Sequence, residues 1–232
     1  MQRYFTSKLD DNKFILESDD MYHIKTVMRM KTNDLIEVVY KSELYLCNLD
    51  EFDNIIIKEK LNQIKNKKIH TTLCIPILQE QKMSFVLQKA TELGIDEIVP
   101  IITKRSVVKV SGKEEKKLIR WEKICKEASE QSKRLDIPRV YPIKTLAELS
   151  LEGTKIVCST KEKNNSIKKV LQNNLKCDKM VMVIGPEGGL CEEEEQVLID
   201  KGFIPTTLGD NIMRVETVPI YMLSVLNYEL ME

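Results

Sequence analysis

The stretch that decides the fold is Met180–Leu190, with the sequence MVMVIGPEGGL. Its first five residues, Met180–Ile184, are large and apolar, which is typical of a central parallel strand covered on both faces of its sheet. A glycine and a proline end this strand, and Gly188 and Gly189 then allow positive φ and a close approach of a ligand to the backbone. The pattern predicts a buried strand that leads into a binding loop.

A helix is predicted directly after this turn. Four glutamates at 192–195 lie in its first turn, where the helix dipole favours acids, and Gly202 follows its end. Strand, glycine turn and helix together indicate a ligand-binding loop at the carboxyl edge of an α/β sheet. The loop has neither the Walker pattern nor G-x-G-x-x-G, and its carboxylates disfavour a phosphate, so we expect a neutral or cationic ligand. The alternative is a tight connection that binds nothing.

The composition excludes several classes of protein. The chain has 232 residues, of which 42% are hydrophobic, and no apolar run approaches the ~20 residues of a membrane span. We therefore expect a cytoplasmic protein with no membrane association and no signal peptide. Six scattered cysteines and two histidines, His23 and His70, offer no spacing typical of metal ligands, so we predict no metal site.

Charge is unevenly distributed along the chain, although the net charge is zero. Residues 104–144 contain thirteen Lys and Arg against six Asp and Glu, whereas residues 187–232 contain two against ten. A basic surface suits a polyanion, and an ordinary solvated helix face is the alternative.

Residues 1–69 are predicted to form a small β-rich module, a barrel by its pattern of short strands. The predicted strands are Lys13–Leu16, Leu35–Tyr40, Glu43–Leu49 and Ile55–Lys58, and the one predicted helix is Asp19–Met30. Within this helix, Ile24, Val27 and Met28 are expected to share the buried face. The polar, basic segment Asn62–Lys68 marks the predicted domain boundary.

Residues 70–232 are predicted to form an α/β domain. Strand Thr71–Leu78, helix Lys82–Leu93 and strand Ile98–Ile102 predict a parallel pair with a right-handed crossover. The further predicted elements are a long charged helix at Lys113–Arg134, a strand at Lys155–Ser159, a helix through Leu175 and an apolar helix at Val218–Leu230. On the long helix, Lys116, Lys117, Arg120, Lys123 and Lys126 are expected outside the apolar stripe. The last helix packs either against a partner or within its own subunit.

Several short motifs occur in a fixed order along nearly the whole chain. They are Gln88–Gly94, Arg105–Val108, Glu127–Ser132 with Arg134 and Pro138, Gly185–Gly189, Leu208–Gly209 and Ile212–Thr217. Together they resemble the RsmE family, which are SPOUT-class methyltransferases that methylate N3 of a uridine in 16S ribosomal RNA. The segment His23–Asp34 resembles the RNA-binding barrel of the same family.

The resemblance implies the fold, the cofactor and the partners. It implies a PUA-like β-barrel domain at 1–69 and an α/β SPOUT domain at 70–232, whose parallel sheet ends in a C-terminal trefoil knot. It also implies S-adenosyl-L-methionine as cofactor, 16S rRNA of the small ribosomal subunit as substrate, and a homodimer. Within the resemblance, Glu216 is the candidate base and Arg214 the candidate group that stabilises the developing uracil oxygen; a pair that only braces the knot is the alternative.

Three loops and a set of surface side chains carry the implied contacts. The implied cofactor-binding residues are Cys158, Ser159, Thr160, Ile184, Gly185, Pro186, Glu187, Gly188, Gly189, Leu208, Gly209, Ile212, Met213 and Thr217. The implied RNA-binding residues are Arg3, Arg29, Lys89, Arg105, Gln131 and Arg134, together with lysines of the long helix. The cations among them contact phosphates and make affinity sensitive to salt.

The chain departs from the family pattern at four positions. Asn211 replaces the usual arginine, Cys191 replaces the usual Ser or Thr and is expected to cap its helix poorly, Asn33 replaces a glycine, and Val218 replaces an alanine. Two other functions stay open. One is a SPOUT methyltransferase for another position in rRNA or tRNA, such as a ribose 2′-hydroxyl, and the other is a non-catalytic RNA-binding protein.

Overall fold

The computed structural model describes residues 1–63, 69–108, 112, 114–174 and 176–231. These residues form two compact units. The first contains residues 1–63 together with Lys126–Ile137, and the second contains the described residues of 69–125 and 138–231. The predicted division at 69/70 stays a prediction, because most of its boundary segment lies outside the described residues.

The first unit is a half-barrel built from one mixed sheet. Its strands are β1 (Arg3–Thr6), β2 (Lys8–Asp10), β3 (Lys13–Ile15), β4 (Leu35–Tyr40), β5 (Glu43–Leu49) and β6 (Ile55–Leu61), in the order β1-β4-β5-β6-β3-β2. β1 pairs with β4 in parallel, and the other neighbours are antiparallel. Alternate residues of the strands, such as Ile36, Val38 and Cys47, are buried in one core. The predicted strands are therefore confirmed.

The predicted helix in this unit is shorter and partly of another type. Helix α1 (Ser18–Tyr22) continues into a π-helix at His23–Val27, and Arg29 adopts a φ of +54° just beyond it. Ile24 is fully buried, but Val27 is 58% exposed and Met28 is 40% exposed. The expected common face is wrong, because the i to i+5 bonding of a π-helix turns these positions away from Ile24.

The second unit contains a parallel sheet. Its strands are β7 (His70–Pro76), β8 (Glu97–Ile102), β9 (Arg139–Val140), β10 (Lys144–Thr145), β11 (Thr154–Cys158), β12 (Lys179–Val183) and β13 (Ile204–Thr206). The main order is β10-β8-β7-β12-β11-β13, and β9 pairs with β8. β12 lies between β7 and β11 and pairs with both in parallel, which confirms the predicted central strand.

Helices cover both faces of this sheet. They are α2 (Glu80–Glu92), α3 (Glu114–Gln131), α4 (Ile167–Asn174), α5 (Glu192–Asp200) and α6 (Thr217–Leu230). Met180 and Met182 of β12 face a core shared by α2, α4 and α6, whereas Val181 and Val183 face a core that includes Leu198 of α5. The predicted ends of two helices, at residues 113 and 175, lie outside the described residues. Among the helices described, none is long and apolar enough to cross a membrane.

Candidate active site

A cavity of about 600 Å³ opens at the carboxyl ends of β11 and β12. Three loops form most of its wall, at 158–163, 184–190 and 207–215, and single side chains of other segments complete it. The lining residues are Lys82, Arg105, Cys158, Ser159, Thr160, Lys161, Lys163, Ile184, Gly185, Pro186, Glu187, Gly188, Gly189, Leu190, Glu195, Thr207, Leu208, Gly209, Asp210, Asn211, Ile212, Met213, Arg214, Val215 and Val218.

Two glycine turns shape the wall. Gly189 has a φ of +68° and Gly209 a φ of +125°, and a side chain would be strained in both conformations. A Cβ atom on Gly185 would stand 3.0 Å from the backbone nitrogen of Leu190, so the turn is also tightly closed. Glycine is therefore needed at these positions for backbone reasons, and the turns leave main-chain groups facing the cavity.

Main-chain hydrogen bonds fasten residues 206–207, at the start of the third loop, to residues 159 and 165. The Ser159 N–H donates to the Thr206 carbonyl at 3.0 Å, and the Thr207 N–H donates to the Asn165 carbonyl at 2.8 Å. Behind this contact, the Cys158 thiol lies 3.0 Å from the Met222 sulfur, and burial raises the pKa of the thiol to about 12. Cys158 is thus a neutral part of the wall, because a thiol with this pKa supplies no thiolate at neutral pH.

Acidic groups at the cavity are paired with cations. The Lys82 ammonium lies 2.9 Å from Glu187 Oε1 and 3.6 Å from Glu216 Oε2. Burial raises the pKa of Glu187, but the hydrogen bond from Lys82, a backbone hydrogen bond and the charge of Lys82 together bring this pKa below its ordinary value. The hydrogen bond to Glu187 and the charges of both acids raise the pKa of Lys82. Both members of the close pair are therefore charged at neutral pH.

A neighbouring segment holds the glycine turn from outside. Arg105 donates to the Gly188 carbonyl at 2.9 Å. The Glu194 carboxylate accepts the N–H of Lys104 at 2.6 Å and the N–H of Cys191 at 3.0 Å. Glu194 thereby accepts the N–H of Cys191 at the start of α5. This hydrogen bond compensates for the weak capping expected of the Cys191 side chain.

The implied cofactor residues come together almost completely. All of them line the cavity except Thr217, and Arg214 lines it as well. Glu216 is not a lining residue, although it contacts one in Lys82. Its Oε2 atom is buried and has no hydrogen-bond partner in the described part of the chain.

The implied RNA-binding residues lie in several places. Arg105 is exposed at the cavity, Arg29 and Gln131 are exposed in the first unit, and Lys89 pairs with Glu92 at 2.8 Å on α2. Lys126, expected outside the apolar stripe of the long helix, is 20% exposed and pairs with Asp20 at 2.7 Å. A carboxylate of the first unit therefore engages its ammonium, because the last turn of α3 packs within that unit.

Arg3 and Arg134 are placed differently from the exposed cations. The Arg3 side chain is 3% exposed, and it binds Glu37 at 2.9 Å, Gln63 at 3.0 Å and the carbonyls of Lys133 and Arg134. Arg134 is itself 9% exposed at its side chain and pairs with Asp136. Both arginines are engaged in packing of the first unit, so neither presents a free cation to an RNA phosphate.

Sequence reasoning missed five charged residues of the cavity wall, namely Lys161, Lys163, Glu195, Asp210 and Lys82. Of these, Lys82 pairs with Glu187 and Glu216. Its signal is local: a lysine at the third residue of α2 is disfavoured by the helix dipole and therefore needs another explanation. Within the described ranges, no three His, Cys, Asp or Glu side chains are arranged to hold a metal ion.

Comparison with known proteins first defines a class. A family model described as an RNA methyltransferase domain matches residues 65–227. Ribosomal RNA small subunit methyltransferase E of Mesomycoplasma hyopneumoniae is 38% identical over 230 residues, with 97% of this chain and 98% of that protein covered. The Bacillus subtilis protein of the same name is 31% identical over 249 residues, with 99% and 97% covered.

A solved structure adds a likeness of fold. The Neisseria gonorrhoeae ribosomal RNA small subunit methyltransferase E, crystallised with S-adenosyl methionine, has a TM-score of 0.83 and 27% identity, with 99% of this chain and 98% of that chain covered. This chain belongs to the ribosomal RNA small subunit methyltransferase E family. The family resemblance of the sequence motifs is confirmed. The mixed α/β fold, in which the first unit is a half-barrel sheet rather than the predicted barrel and the second holds a parallel sheet, matches this solved structure.

Proposed function

We propose that this chain transfers a methyl group from S-adenosyl-L-methionine to N3 of a uridine in the 16S rRNA of the small ribosomal subunit, in the cytoplasm. The observation that carries the proposal is the cavity with two glycine turns at the carboxyl ends of β11 and β12, in a chain of this family. The bound S-adenosyl methionine of the Neisseria relative supports the choice of cofactor.

The residues present fit this cofactor. The cavity volume is within the ~300–1,000 Å³ of small-molecule sites, and Ile184, Leu208 and Met213 offer apolar surface to an adenine. Glu187 and Glu195 are carboxylates of this wall, and each is paired with a lysine, Lys82 and Lys161 respectively. When bound, the cofactor supplies a methyl group on a sulfonium. The residues at 158–160, 184–189, 208–209 and 212–213 would hold it, and Thr217 would support it from the start of α6.

Glu216 and Arg214 are proposed to serve the acceptor uridine. N3 of uridine carries a proton, which must leave as the bond from N3 to the methyl carbon forms and the bond from that carbon to sulfur breaks. The buried Glu216 Oε2 supports its role as the proton acceptor, because it has acceptor capacity that no described donor uses. Arg214 lines the cavity and would stabilise negative charge on a uracil oxygen. Positioning supplies up to ~7–11 kcal/mol of the acceleration.

A trefoil knot and a homodimer complete the proposal. The knot is supported by the path of the chain after α5. β13 and Thr207 pair with residues between 156 and 167. The chain then reaches α6, which packs in the core on the sheet face opposite to that of α5. The dimer is supported by α6, where Tyr228 is exposed on the same face as half-buried Tyr221 and Val225. An apolar strip of this kind suits a second copy of the chain.

RNA binding is proposed for the cations Arg105, Arg29 and Lys89 and for the neutral side chain of Gln131. Arg105 is the strongest candidate, because it is exposed and lies at the cavity, and Arg29, Lys89 and Gln131 are proposed to contact RNA outside it. Exposed lysines of α3 would add contacts with phosphates. Affinity for RNA should fall steeply with salt, and a flat salt dependence would remove this part of the proposal.

The test uses purified protein, S-adenosyl-L-methionine and small subunits that lack the modification, followed by reverse transcription across the RNA. A methyl on N3 blocks base pairing, so the proposal predicts one stop at a uridine that requires the cofactor. Glu216→Gln should lower the rate by about 100-fold or more while the Kd of the cofactor stays within about threefold. Methyl incorporation without a stop would contradict N3 as the target, and wild-type turnover by Glu216→Gln would contradict the assigned base.

A further inference from the structure

Lys82 connects two acidic groups that come from distant parts of the chain. Its ammonium is 2.9 Å from Glu187, in the first glycine turn, and 3.6 Å from Glu216, directly before α6. The side chains of Lys82 and Glu187 are 33% and 36% exposed, whereas that of Glu216 is 17% exposed. One ammonium at the cavity wall therefore links the proposed cofactor loop to the more deeply placed carboxylate.

The position of Lys82 is not explained by the stability of its helix. It is the third residue of α2, where the positive end of the helix dipole opposes a cation. The first residue, Glu80, has the charge that the dipole favours and pairs with Arg120 at 2.9 Å. The carboxylates of Glu187 and Glu216, at the cavity wall, offset the unfavourable field of the helix dipole at Lys82.

Glu216 depends on this lysine more than Glu187 does. Its Oε2 atom is buried without a hydrogen-bond partner among the described residues, and Lys82 supplies the cation within 4.0 Å. A buried carboxylate is costly unless a positive charge lies close to it. Glu187, by contrast, is partly exposed to water and holds a full hydrogen bond.

We propose that Lys82 is a positioning residue for methyl transfer, which ties Glu187 in the cofactor loop to Glu216 and so holds the proton acceptor in register with the bound cofactor. The inference rests on the proposed function, because that proposal supplies the role of Glu216. Lys82 also places a positive charge at the cavity. This charge disfavours a cationic ligand relative to a neutral ligand of the same shape.

The experiment compares Lys82→Met and Lys82→Arg with Lys179→Met, a control that removes a lysine paired with Glu152 at an exposed site on β12. Single-turnover rates are measured on small subunits, and Kd values for S-adenosyl-methionine and S-adenosyl-homocysteine are measured by calorimetry. Lys82→Met should lower the rate about tenfold or more and should favour the cationic ligand over the neutral one by about threefold relative to wild type. Lys82→Arg should restore most of the transfer rate and most of the wild-type ligand preference. The unfolding midpoints of both Lys82 variants should match that of the Lys179→Met control.

A double variant tests whether Lys82 acts through Glu216. In a Glu216→Gln background, Lys82→Met should change the rate less than twofold, because the positioned carboxylate is already gone. The same fold loss in both backgrounds, or an unchanged ligand preference, would overturn the inference. A wild-type protein that binds no cofactor or transfers no methyl would refute the proposed function, whereas an active wild type with an unaffected Lys82→Met would refute this inference alone.

Discussion

Arg3→Met tests whether a cation that the sequence assigns to RNA serves the fold instead. The Arg3 guanidinium is almost completely buried, and its donors reach Glu37, Gln63 and two main-chain carbonyls. Methionine fills similar space but donates nothing, so the variant leaves a largely buried carboxylate and carbonyls without their donor. Lys133, at 3.1 Å from Glu37, remains as a partial replacement.

The size of the effect follows from these contacts. Removing one partner of a buried ion pair costs ~3–5 kcal/mol, and the remaining Lys133 places Arg3→Met near the lower end, at about 3 kcal/mol. Burial raises the pKa of Glu37, but the hydrogen bonds from Arg3 and Lys133 bring it below the ordinary 4.5. A depressed folded pKa contributes stability above pH 4.5 that is lost as the pH falls. The loss in Arg3→Met should therefore be largest at neutral pH and shrink in acid.

Urea unfolding followed by circular dichroism measures the loss, and the fluorescence of Trp121, in the second unit, follows that unit separately. At about 2 kcal/mol per molar urea, the midpoint of the first unit should fall by about 1.5 M. Lys25→Met is the matched control, because it breaks an exposed pair with Asp53 and should cost at most about 1 kcal/mol. Unchanged stability with a tenfold loss of RNA affinity would refute the reasoning.

Two further predictions concern the cavity and a buried acid. Gly209 has a φ of +125°, so Gly209→Ala should lower the free energy of unfolding by ~1–3 kcal/mol. It should also weaken cofactor binding about tenfold, as measured by calorimetry. Full affinity for the cofactor would contradict the role of this turn. Burial raises the pKa of Glu130 to about 7, so stability should fall as the pH rises from about 4.5 to 7. Glu130→Gln should flatten this fall and raise the free energy of unfolding, measured in urea at pH 8, by up to ~3 kcal/mol. Curves of stability against pH that run parallel for the variant and the wild type would contradict this prediction.

The elements found from the sequence are those with a strong local pattern. The apolar run of β12, the glycine turn after it and the acidic first turn of α5 each carry a signal within a few residues. The two-residue strand β9 and the three-residue β13 carry none, because they are fixed by partners far along the chain. Short strands of this kind depend on the sheet that receives them.

In the candidate site, too, contacts between residues far apart in the chain carry no local sequence signal. The loops at 158–160, 184–189 and 208–213 were implied by the family resemblance, but the pairing of Lys82 with Glu187 joins residues 105 positions apart. Arg3 was assigned to RNA as a residue that the family resemblance implies to contact phosphate. Its burial depends on Lys126–Ile137 joining the first unit, and local periodicity does not reveal that arrangement.

The proposed function depends on delivery of a methyl group by the cavity to N3 of a uridine in small-subunit rRNA. The most direct measurement incubates unmodified small subunits with the purified chain and methyl-labelled S-adenosyl-L-methionine, digests the RNA to nucleosides and separates them by chromatography. Methyl transfer to N3 predicts that the label elutes as 3-methyluridine. Label in a ribose-methylated nucleoside, or no label in the RNA, would contradict it.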